Sequence, residues 1–556
     1  MGKPETGAAS KPRAGAIASA PAHVAADTRV GDLAAFLPGM KSADAAFLPE
    51  RSLISRRIQD QVRNDGWTAS TLNRYVDHAI GSNFRLSYQP DWRALGIDRK
   101  EAYAFTQEVE KFWRGYVDDP RQYCDATEQT NFTGVVGLAF RHRMGDGEVV
   151  AALRWLERDD FPFRTAMQVI DPDRLSNPND EVDTDRLRGG VELNALGAAQ
   201  AYHFRATHPG DVFFGQSDTY KWNRVPKRTK WGRPMVVHQF ERERAGQTRG
   251  KSGLTTVVKK IFMANKYADA EMQAAVINAM LSLFIKSPMD TDGLAEMLST
   301  KGAGSAFDNY IDARTEFHQK GAITLGGARI PHLFPNEDIA TLDTARPNAN
   351  YAEFEKRVLR YFAASTGQSY EQAAADYSET NYSSARAAIL DSWKFLSARL
   401  GHFAQGFCTP WFFAWLEDAV DGGVIKLPKG APEFWKAPAA YARCRWNGPG
   451  RGWIDPTKEA QASQLRMDSQ ISTLAKENAE QGEDWRETLE QQAFENEVIA
   501  ELGLKRTTSN TIVEEDEDQD TADEEENSSR TGNSRERGNV REVRPGRSRI
   551  PQVPRT

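Results

Sequence analysis

The stretch that decides the fold runs from Ser252 to Ile285 and reads SGLTTVVKKIFMANKYADAEMQAAVINAMLSLFI. Its apolar residues recur at intervals of three and four, which predicts one amphipathic helix of about nine turns. At 1.5 Å per residue such a helix is about 50 Å long, which exceeds the width of a small domain. Two roles remain open: a core helix of a large domain, or a strut that projects from the body and packs against copies of itself. The apolar positions are Leu254, Val257, Val258, Ile261, Phe262, Ala268, Met272, Ala275, Val276, Ala279, Met280, Leu283 and Phe284.

Charged side chains on the same stretch define its other side. We predict that Lys259, Lys260 and Lys266 form the polar face of this helix, together with Asp269 and Glu271.

On both sides of this stretch, predicted helices cover more residues than predicted strands, so we predict a mixed α+β fold dominated by helices. The predicted helices are Ser52–Asn64, Ala69–Ile80, Lys100–Val117, Tyr351–Thr366, Ala385–Leu400 and a series from Asp455 to Leu502. The predicted strands are Val149–Trp155, Phe161–Ile170, Tyr202–Arg205, Met235–Phe240, Ile323–Leu325 and Ile330–Leu333.

Local signals set several helix ends. Asn350 and Gly367 bracket one helix, Gly401 is expected to stop another, and Asp455 precedes a proline at a first helical position. Ser369, with glutamine three residues later, predicts a capping box.

The two ends of the chain differ in composition from the rest. Residues 1–40 are poor in aromatic side chains and are predicted to form a flexible arm. Glu514–Glu526 holds ten acids in thirteen residues, and an arginine-rich segment follows, so 507–556 is predicted to be a disordered charged tail.

Composition excludes several classes of protein. The 556 residues suggest about three to four domains at roughly 150 residues each. With 71 basic and 78 acidic residues the net charge is −7, which argues against a globally basic nucleic-acid binder. The three cysteines are far apart, which argues against a disulfide scaffold, and no apolar stretch reaches the roughly 20 residues of a membrane span.

One motif points to nucleotide chemistry. Ala245–Ser252 reads AGQTRGKS and fits a permissive P-loop pattern, between a predicted strand and the long helix. Against this reading, the first glycine is replaced by alanine, Arg242 and Arg244 precede the loop, and no later strand ends in a magnesium-binding aspartate. The alternatives are a P-loop ATPase and a basic loop that opens a helix.

Other patterns carry little chemistry. None of the nine histidines forms an H-x-x-x-H pair, and Cys408 lacks a recognisable histidine partner, so we expect no catalytic residue, no metal and no cofactor. The aromatic run Trp411–Trp415 fits a protein interface or a core equally well.

From about Arg51 to Leu504 the chain resembles the lambda-type portal proteins of tailed phages and prophages. The ordered set of stretches that carries this resemblance is Val169–Leu175 (VIDPDRL), Gly246–Gly250 (GQTRG), Tyr267–Glu271 (YADAE), Thr380–Ala388 (TNYSSARAA), Gly448–Gly450, Trp453–Glu459 (WIDPTKE) and Gln491–Gln492 before Glu495. Lys251 departs from the small apolar residue expected there.

The resemblance implies a structural protein rather than an enzyme. It implies a ring of about twelve copies at one capsid vertex, through which double-stranded DNA is packaged and ejected without sequence-specific contacts. Its implied partners are terminase, capsid or scaffold proteins and head–tail connector proteins, with no membrane. Its implied location is the virion, with the host cytoplasm during assembly.

A portal-type fold has a wing, a long-helix stem, a small α/β clip and a helical crown. The corresponding division of this chain is an arm at 1–40, a first wing part at 41–250, stem and clip at 251–345, tunnel loop, helix and second wing part at 346–455, a crown at 456–506 and a tail at 507–556. By the same resemblance, the loop and helix that meet DNA contain Arg346, Asn348, Asn350 and Arg357.

Overall fold

The computed structural model describes residues 36–211, 217–281, 350–378, 380–450 and 455–504, with a few shorter pieces. The chain divides into two units, 1–487 and 488–556. Predictions for the end of the long helix, for the tunnel loop before Asn350 and for the tail after 506 lie outside the described residues.

Helices account for most of the regular structure. The principal ones are Ala43–Asn64, Gly66–Ala79, Arg99–Val117, Phe132–Gly145, Val258–Leu281, Tyr351–Thr366, Tyr382–Gly406, Cys408–Asp421, Pro456–Asp468, Leu474–Glu480 and Trp485–Glu501. Shorter helices are Trp92–Leu95, Tyr370–Ala374 and Pro438–Tyr441. We call Val258–Leu281 the long helix and Tyr351–Thr366 the flanking helix.

The strands form small antiparallel sheets. A three-stranded sheet has Glu148–Trp155 at its centre, between Thr165–Ile170 and Val236–Phe240. A four-stranded sheet follows chain order through Leu187–Arg188, Val191–Leu193, Ala199–Arg205 and Trp222–Pro226. Two-stranded pairs join Arg85–Tyr88 to Cys444–Asn447, and Ile323–Leu325 to Ala328–Ile330.

The main core surrounds the Cys408–Asp421 helix. Trp411, Phe412 and Trp415 are fully buried, and the Trp415 ring lies 4.9 Å from that of Trp113. The aromatic run is therefore core rather than interface. The buried carboxylate of Asp418 also accepts the backbone N–H groups of Arg164 and Thr165, at 2.7 and 2.8 Å, which ties this helix to the three-stranded sheet.

Most capping predictions are confirmed. Gly367 ends the flanking helix with a φ of 72°. Ser369 and Gln372 form the capping box, and Asp455 caps its helix through the N–H of Lys458.

The prediction that Gly401 stops a helix is wrong. The helix continues to Gly406, because Phe403, Ala404 and Phe407 are buried against the core. Their burial outweighs the roughly 1 kcal/mol that glycine costs inside a helix.

Several other boundaries differ from prediction, and two of the element starts differ by four residues or more. The first helix begins at Ala43 rather than Ser52, since Ser42 caps it by accepting the N–H of Ala45. The strand predicted from Phe161 begins at Thr165, because Pro162 has no N–H for a sheet hydrogen bond. Among the described residues, no helix has the length and apolar character that crossing a membrane requires.

Candidate functional site

A buried carboxylate stands at the base of the long helix. Glu148 begins the central strand of the three-stranded sheet, and its side chain is 0% exposed. Its two oxygens accept hydrogen bonds from Arg249 Nε at 2.8 Å and from the Gly250 N–H at 2.8 Å. Arg51 Nη2 lies 3.0 Å away and His238 Nε2 2.9 Å away. We call this group the junction.

Arg249 connects the junction to three backbone carbonyl groups elsewhere in the chain. Its guanidinium is 1% exposed and donates to the carbonyl oxygens of Pro172, Leu175 and Gly189, at 2.9, 2.7 and 2.6 Å. Two of the stretches that are typical of the family, Val169–Leu175 and Gly246–Gly250, therefore meet at this one side chain. The side chain of Arg249 therefore holds these two stretches together.

Charge at the junction is balanced. Arg51 also reaches Asp173, with Nη1 3.4 Å from Oδ1, so two guanidinium groups face two carboxylates. Burial opposes ionisation of Glu148, but Arg249 and Arg51 outweigh it and hold the pKa of Glu148 well below its usual range. Burial also lowers the pKa of His238, although Glu148 opposes that shift. The net lowering of the pKa favours a neutral imidazole.

The loop that matches a P-loop is filled by the protein's own carboxylates. The N–H and hydroxyl of Thr248 donate to Asp44 at 2.8 and 2.6 Å, and the N–H of Gly250 donates to Glu148. Lys251 pairs with Glu243 at 2.5 Å, and the Ser252 hydroxyl donates to the Met144 carbonyl at 2.8 Å. A phosphate would meet carboxylates where a nucleotide-binding loop offers free N–H groups, which argues against the ATPase alternative.

Glycine is required at two facing points of this junction. A Cβ on Gly250 would lie 2.1 Å from the Gly147 carbonyl oxygen. A Cβ on Gly147, whose φ is +90°, would lie 2.3 Å from the backbone of Lys251. The chain segments before the central strand and before the long helix are therefore in direct backbone contact.

Above the junction the long helix begins with a buried foot. A 3-10 turn, Gly253–Thr256, precedes it, and Leu254, Val257 and Ile261 are buried. Its described 24 residues span about 36 Å. The helix therefore leaves a rigid base rather than a flexible hinge.

The three lysines of the predicted polar face differ in what they contact. All three lysines are exposed, but Lys260 Nζ lies 3.3 Å from the centre of the Tyr361 ring and Lys266 Nζ lies 4.7 Å from that of Phe262. Lys259 is exposed on the first turn. Two of the three cations thus stack on aromatic rings.

Apolar side chains cover much of the rest of the helix surface. Phe262 is 47% exposed, Met263 60%, Met272 68% and Val276 53%. At about 100° per residue these four positions spread over about half of the helix circumference. In the isolated chain, this apolar surface lies open to water.

The flanking helix packs against the long helix through aromatic contacts. The ring of Tyr267 lies 5.1 Å from that of Phe354, edge to face. Of the predicted DNA-contacting residues, Asn350 occupies the cap position of this helix and Arg357 is exposed, with Nε 3.3 Å from Glu353. Tyr361, whose ring contacts Lys260, is one turn beyond Arg357 on the flanking helix. Lys260 and Arg357 therefore lie on the same pair of helices, the long helix and the flanking helix. Arg346 and Asn348 lie outside the described residues.

The sequence did not reveal Glu148, Arg51 or Asp44. Their partners are about 100 to 200 residues away along the chain, so no spacing pattern marks them. The one available signal was Arg249, a charged residue inside a stretch typical of the family.

Over most of its length the chain is similar to known phage proteins. The family description "Phage portal protein, lambda family" matches residues 31–399. The chain is 33% identical over 479 residues to the portal protein of Escherichia phage N15, covering 85% of this chain and 89% of that one. It is 33% identical over 481 residues to portal protein B of Escherichia phage lambda, covering 85% and 89%. It is 24% identical over 490 residues to a probable portal protein of Halomonas phage phiHAP-1, covering 86% and 88%.

Solved structures give weaker similarities. A chain in the neck of a native gene transfer agent (GTA) particle is 13% identical, with a TM-score of 0.30, covering 62% of this chain and 86% of that one. A chain in the virion of a native gene transfer agent particle is 13% identical, with a TM-score of 0.32, covering 78% and 99%.

Proposed function

This chain belongs to the lambda family of phage portal proteins, and we propose that about twelve copies close into a ring around a channel for double-stranded DNA. The family match over 31–399 carries the assignment as a tailed-phage portal protein and part of the virion. The ring, its subunit number and its channel are our proposal.

The surface of the long helix supports a closed ring. An exposed apolar helix surface of this extent is normally covered by a partner. Leu254, Val257 and Ile261 are buried by the chain's own core. Met263 and Met272, nine residues and thus about 180° apart, are open to water on opposite sides of the helix. A ring gives each helix a neighbour on either side, because head-to-tail contacts that close a rotation repeat at every subunit.

We assign the parts of the chain to portal functions as follows. The junction lies in the first wing part, 41–250, and the long helix is the stem. The flanking helix belongs to the tunnel region, 346–455, and 456–506 forms the crown. The clip within 251–345 is proposed to dock terminase and head–tail connector proteins, and the wing to contact capsid or scaffold proteins. Assembly would take place in the host cytoplasm.

The charge of the chain suits a channel that lets DNA slide. With a net charge of −7 over 556 residues the chain is not globally basic, and each neutralised phosphate would add salt-dependent affinity. The proposed contacts are Arg346, Asn348, Asn350 and Arg357. A ring of such weak contacts would centre DNA without clamping it.

Solution mass measurement tests the ring. We expect the purified chain at micromolar concentration and native salt to form closed oligomers of about twelve copies. Met263→Glu combined with Met272→Glu should reduce them to smaller species, because twenty-four new charges would enter the helix contacts of a dodecamer. Leu196→Glu is the control, since Leu196 is 93% exposed and lies outside the long helix. A stable monomer of the unsubstituted chain would contradict the proposal.

Packaging measurements test the channel. Arg346→Glu should leave ring formation unchanged and lower DNA packaging or genome retention in particles assembled with terminase. Lys100→Glu, an exposed cation on the Arg99–Val117 helix, is the matched control. Equal packaging by both variants would remove Arg346 from the channel.

A further inference from the structure

An exposed tryptophan cluster stands apart from the long helix. Among the residues that the structure describes, four tryptophans are more than a third exposed, and three of these lie together. Trp155 is 43% exposed, Trp231 60% and Trp435 39%. We call these three the tryptophan patch.

One short turn brings the patch together. The Arg233 guanidinium lies over the Trp155 ring, 4.7 Å from its centre. Gly232 has a φ of +108°, and a Cβ there would lie 3.2 Å from the Trp435 ring, so this ring packs directly over the turn. Trp231 precedes this glycine and is the most exposed of the three indoles.

The patch rests on a rigid base. Arg233 is 5% exposed and donates to the Ala414 carbonyl at 2.9 Å and to Thr165 Oγ1 at 2.8 Å, besides its ion pair with Glu417. Trp231 Nε1 donates to Glu417 at 3.3 Å. The indoles are therefore held in place before any partner binds, which lowers the entropic cost of binding.

The same chain exposes an apolar segment that could fill such a patch. Phe36 and Leu37 are each 68% exposed and Met40 is 103% exposed, in a stretch with neither helix nor strand before the helix that begins at Ala43. The base of this segment is fixed, because Arg244 Nη2 donates to the Lys41 carbonyl at 3.2 Å. Pro38 lies between the exposed side chains.

The chemistry of the two surfaces is complementary. Segments that contain proline dock on aromatic surfaces because their backbone is already ordered. Tryptophan, arginine, phenylalanine and methionine are also the residues enriched where protein interfaces bind most strongly. Because the Lys41 carbonyl is held by Arg244, the five residues from Phe36 to Met40 can extend up to about 18 Å away from that anchor.

We propose that residues 36–40 of each copy dock on the tryptophan patch of a neighbouring copy. The inference rests on the proposed ring, in which every subunit offers its segment to one neighbour and its patch to the other. The occupant is a second copy of this chain, and the contact is separate from the one made by the long helix.

Cross-linking between separate chains tests the proposal. A chain with Met40→Cys is mixed with a chain with Lys230→Cys, assembled, and treated with a short bis-maleimide. Lys230 is exposed and adjoins Trp231. Background reaction is low, because Cys124 and Cys408 are buried and burial raises the pKa of Cys444 to about 12. We expect covalent dimers from this mixture and few from the control mixture of Met40→Cys with Leu196→Cys.

A protease assay gives an independent readout. Trp231→Ala removes an exposed indole, so the fold should survive, and trypsin should cut assembled rings after Lys41 at least tenfold faster than in the unsubstituted protein. Intact rings with no cross-link, or with an unchanged cleavage rate, would overturn the docking proposal and leave the ring standing. Failure of the unsubstituted chain to form rings would instead overturn the ring.

Discussion

Replacing Arg249 tests whether the junction holds the base of the long helix. Arg249→Met keeps an unbranched apolar stem of similar length and removes the guanidinium. Glu148 would then remain buried, with Arg51 and His238 as its remaining side-chain partners. The carbonyl oxygens of Pro172, Leu175 and Gly189 would lose a charged donor.

The size of the effect follows from burial. Removing one partner of a buried ion pair costs about 3–5 kcal/mol, since the remaining charge stays desolvated. An exposed pair is worth at most about 1 kcal/mol. The same loop supplies such a pair in Lys251 and Glu243, whose side chains are 29% and 52% exposed. Lys251→Met is therefore a matched control, two residues from Arg249.

Urea unfolding followed by tryptophan fluorescence measures both variants, because Trp411 and Trp415 are fully buried in the same unit as the junction. We expect the free energy of unfolding to fall by about 3–5 kcal/mol for Arg249→Met. For Lys251→Met we expect a change of less than about 1 kcal/mol. Equal stability of the two variants would show that the buried network does not hold the base of the long helix.

Three further predictions concern the loop, a buried acid and the core. Lys251→Ala should leave ring formation and packaging unchanged. If the purified chain hydrolyses ATP and Lys251→Ala abolishes that hydrolysis, the structural role of the loop is refuted. Burial raises the pKa of Glu110 from 4.5 to about 7, although Arg486 opposes the shift. The folded state therefore holds this proton more tightly, and stability is lost as pH rises through 7. Glu110→Gln, which stays neutral, should flatten the fall in unfolding temperature between pH 5 and pH 8; an unchanged slope would refute this. Trp411→Ala should cost about 3–5 kcal/mol in urea unfolding, through a core cavity and the lost hydrogen bond to Tyr116; a loss below 1 kcal/mol would place Trp411 outside the core.

Local chemistry explains what the sequence predicted correctly. The caps at Ser369 and Asp455 depend on residues within one turn, so their pattern is visible in the sequence. The stop at Gly401 failed because its outcome depends on tertiary burial of Phe403 and Phe407, which no local pattern contains. Glu148 was missed for the same reason, since the arginines that neutralise it lie about a hundred residues away on either side.

The match of Ala245–Ser252 to a P-loop pattern has a structural explanation. A phosphate-binding loop and this junction have one feature in common: each brings backbone N–H groups close to an anion just before a helix begins. Here the anions are Glu148 and Asp44, and Gly250 is required by the close approach of the Gly147 carbonyl. Ser252 serves the helix start, where its hydroxyl accepts the N–H of Leu254.

The junction also has a mechanical consequence. Lys251 forms a partly exposed ion pair with Glu243, whereas Gly250 is bound to Glu148 of the sheet and Ser252 to the Met144 carbonyl of the Phe132–Gly145 helix. An ion pair whose separation costs several kcal/mol is rarely broken by thermal motion at 25 °C, because the open form would be populated well below one part in a hundred. The foot of the long helix and the three-stranded sheet therefore move together. In the proposed ring, a displacement of one long helix would therefore reach the three-stranded sheet of the same subunit directly.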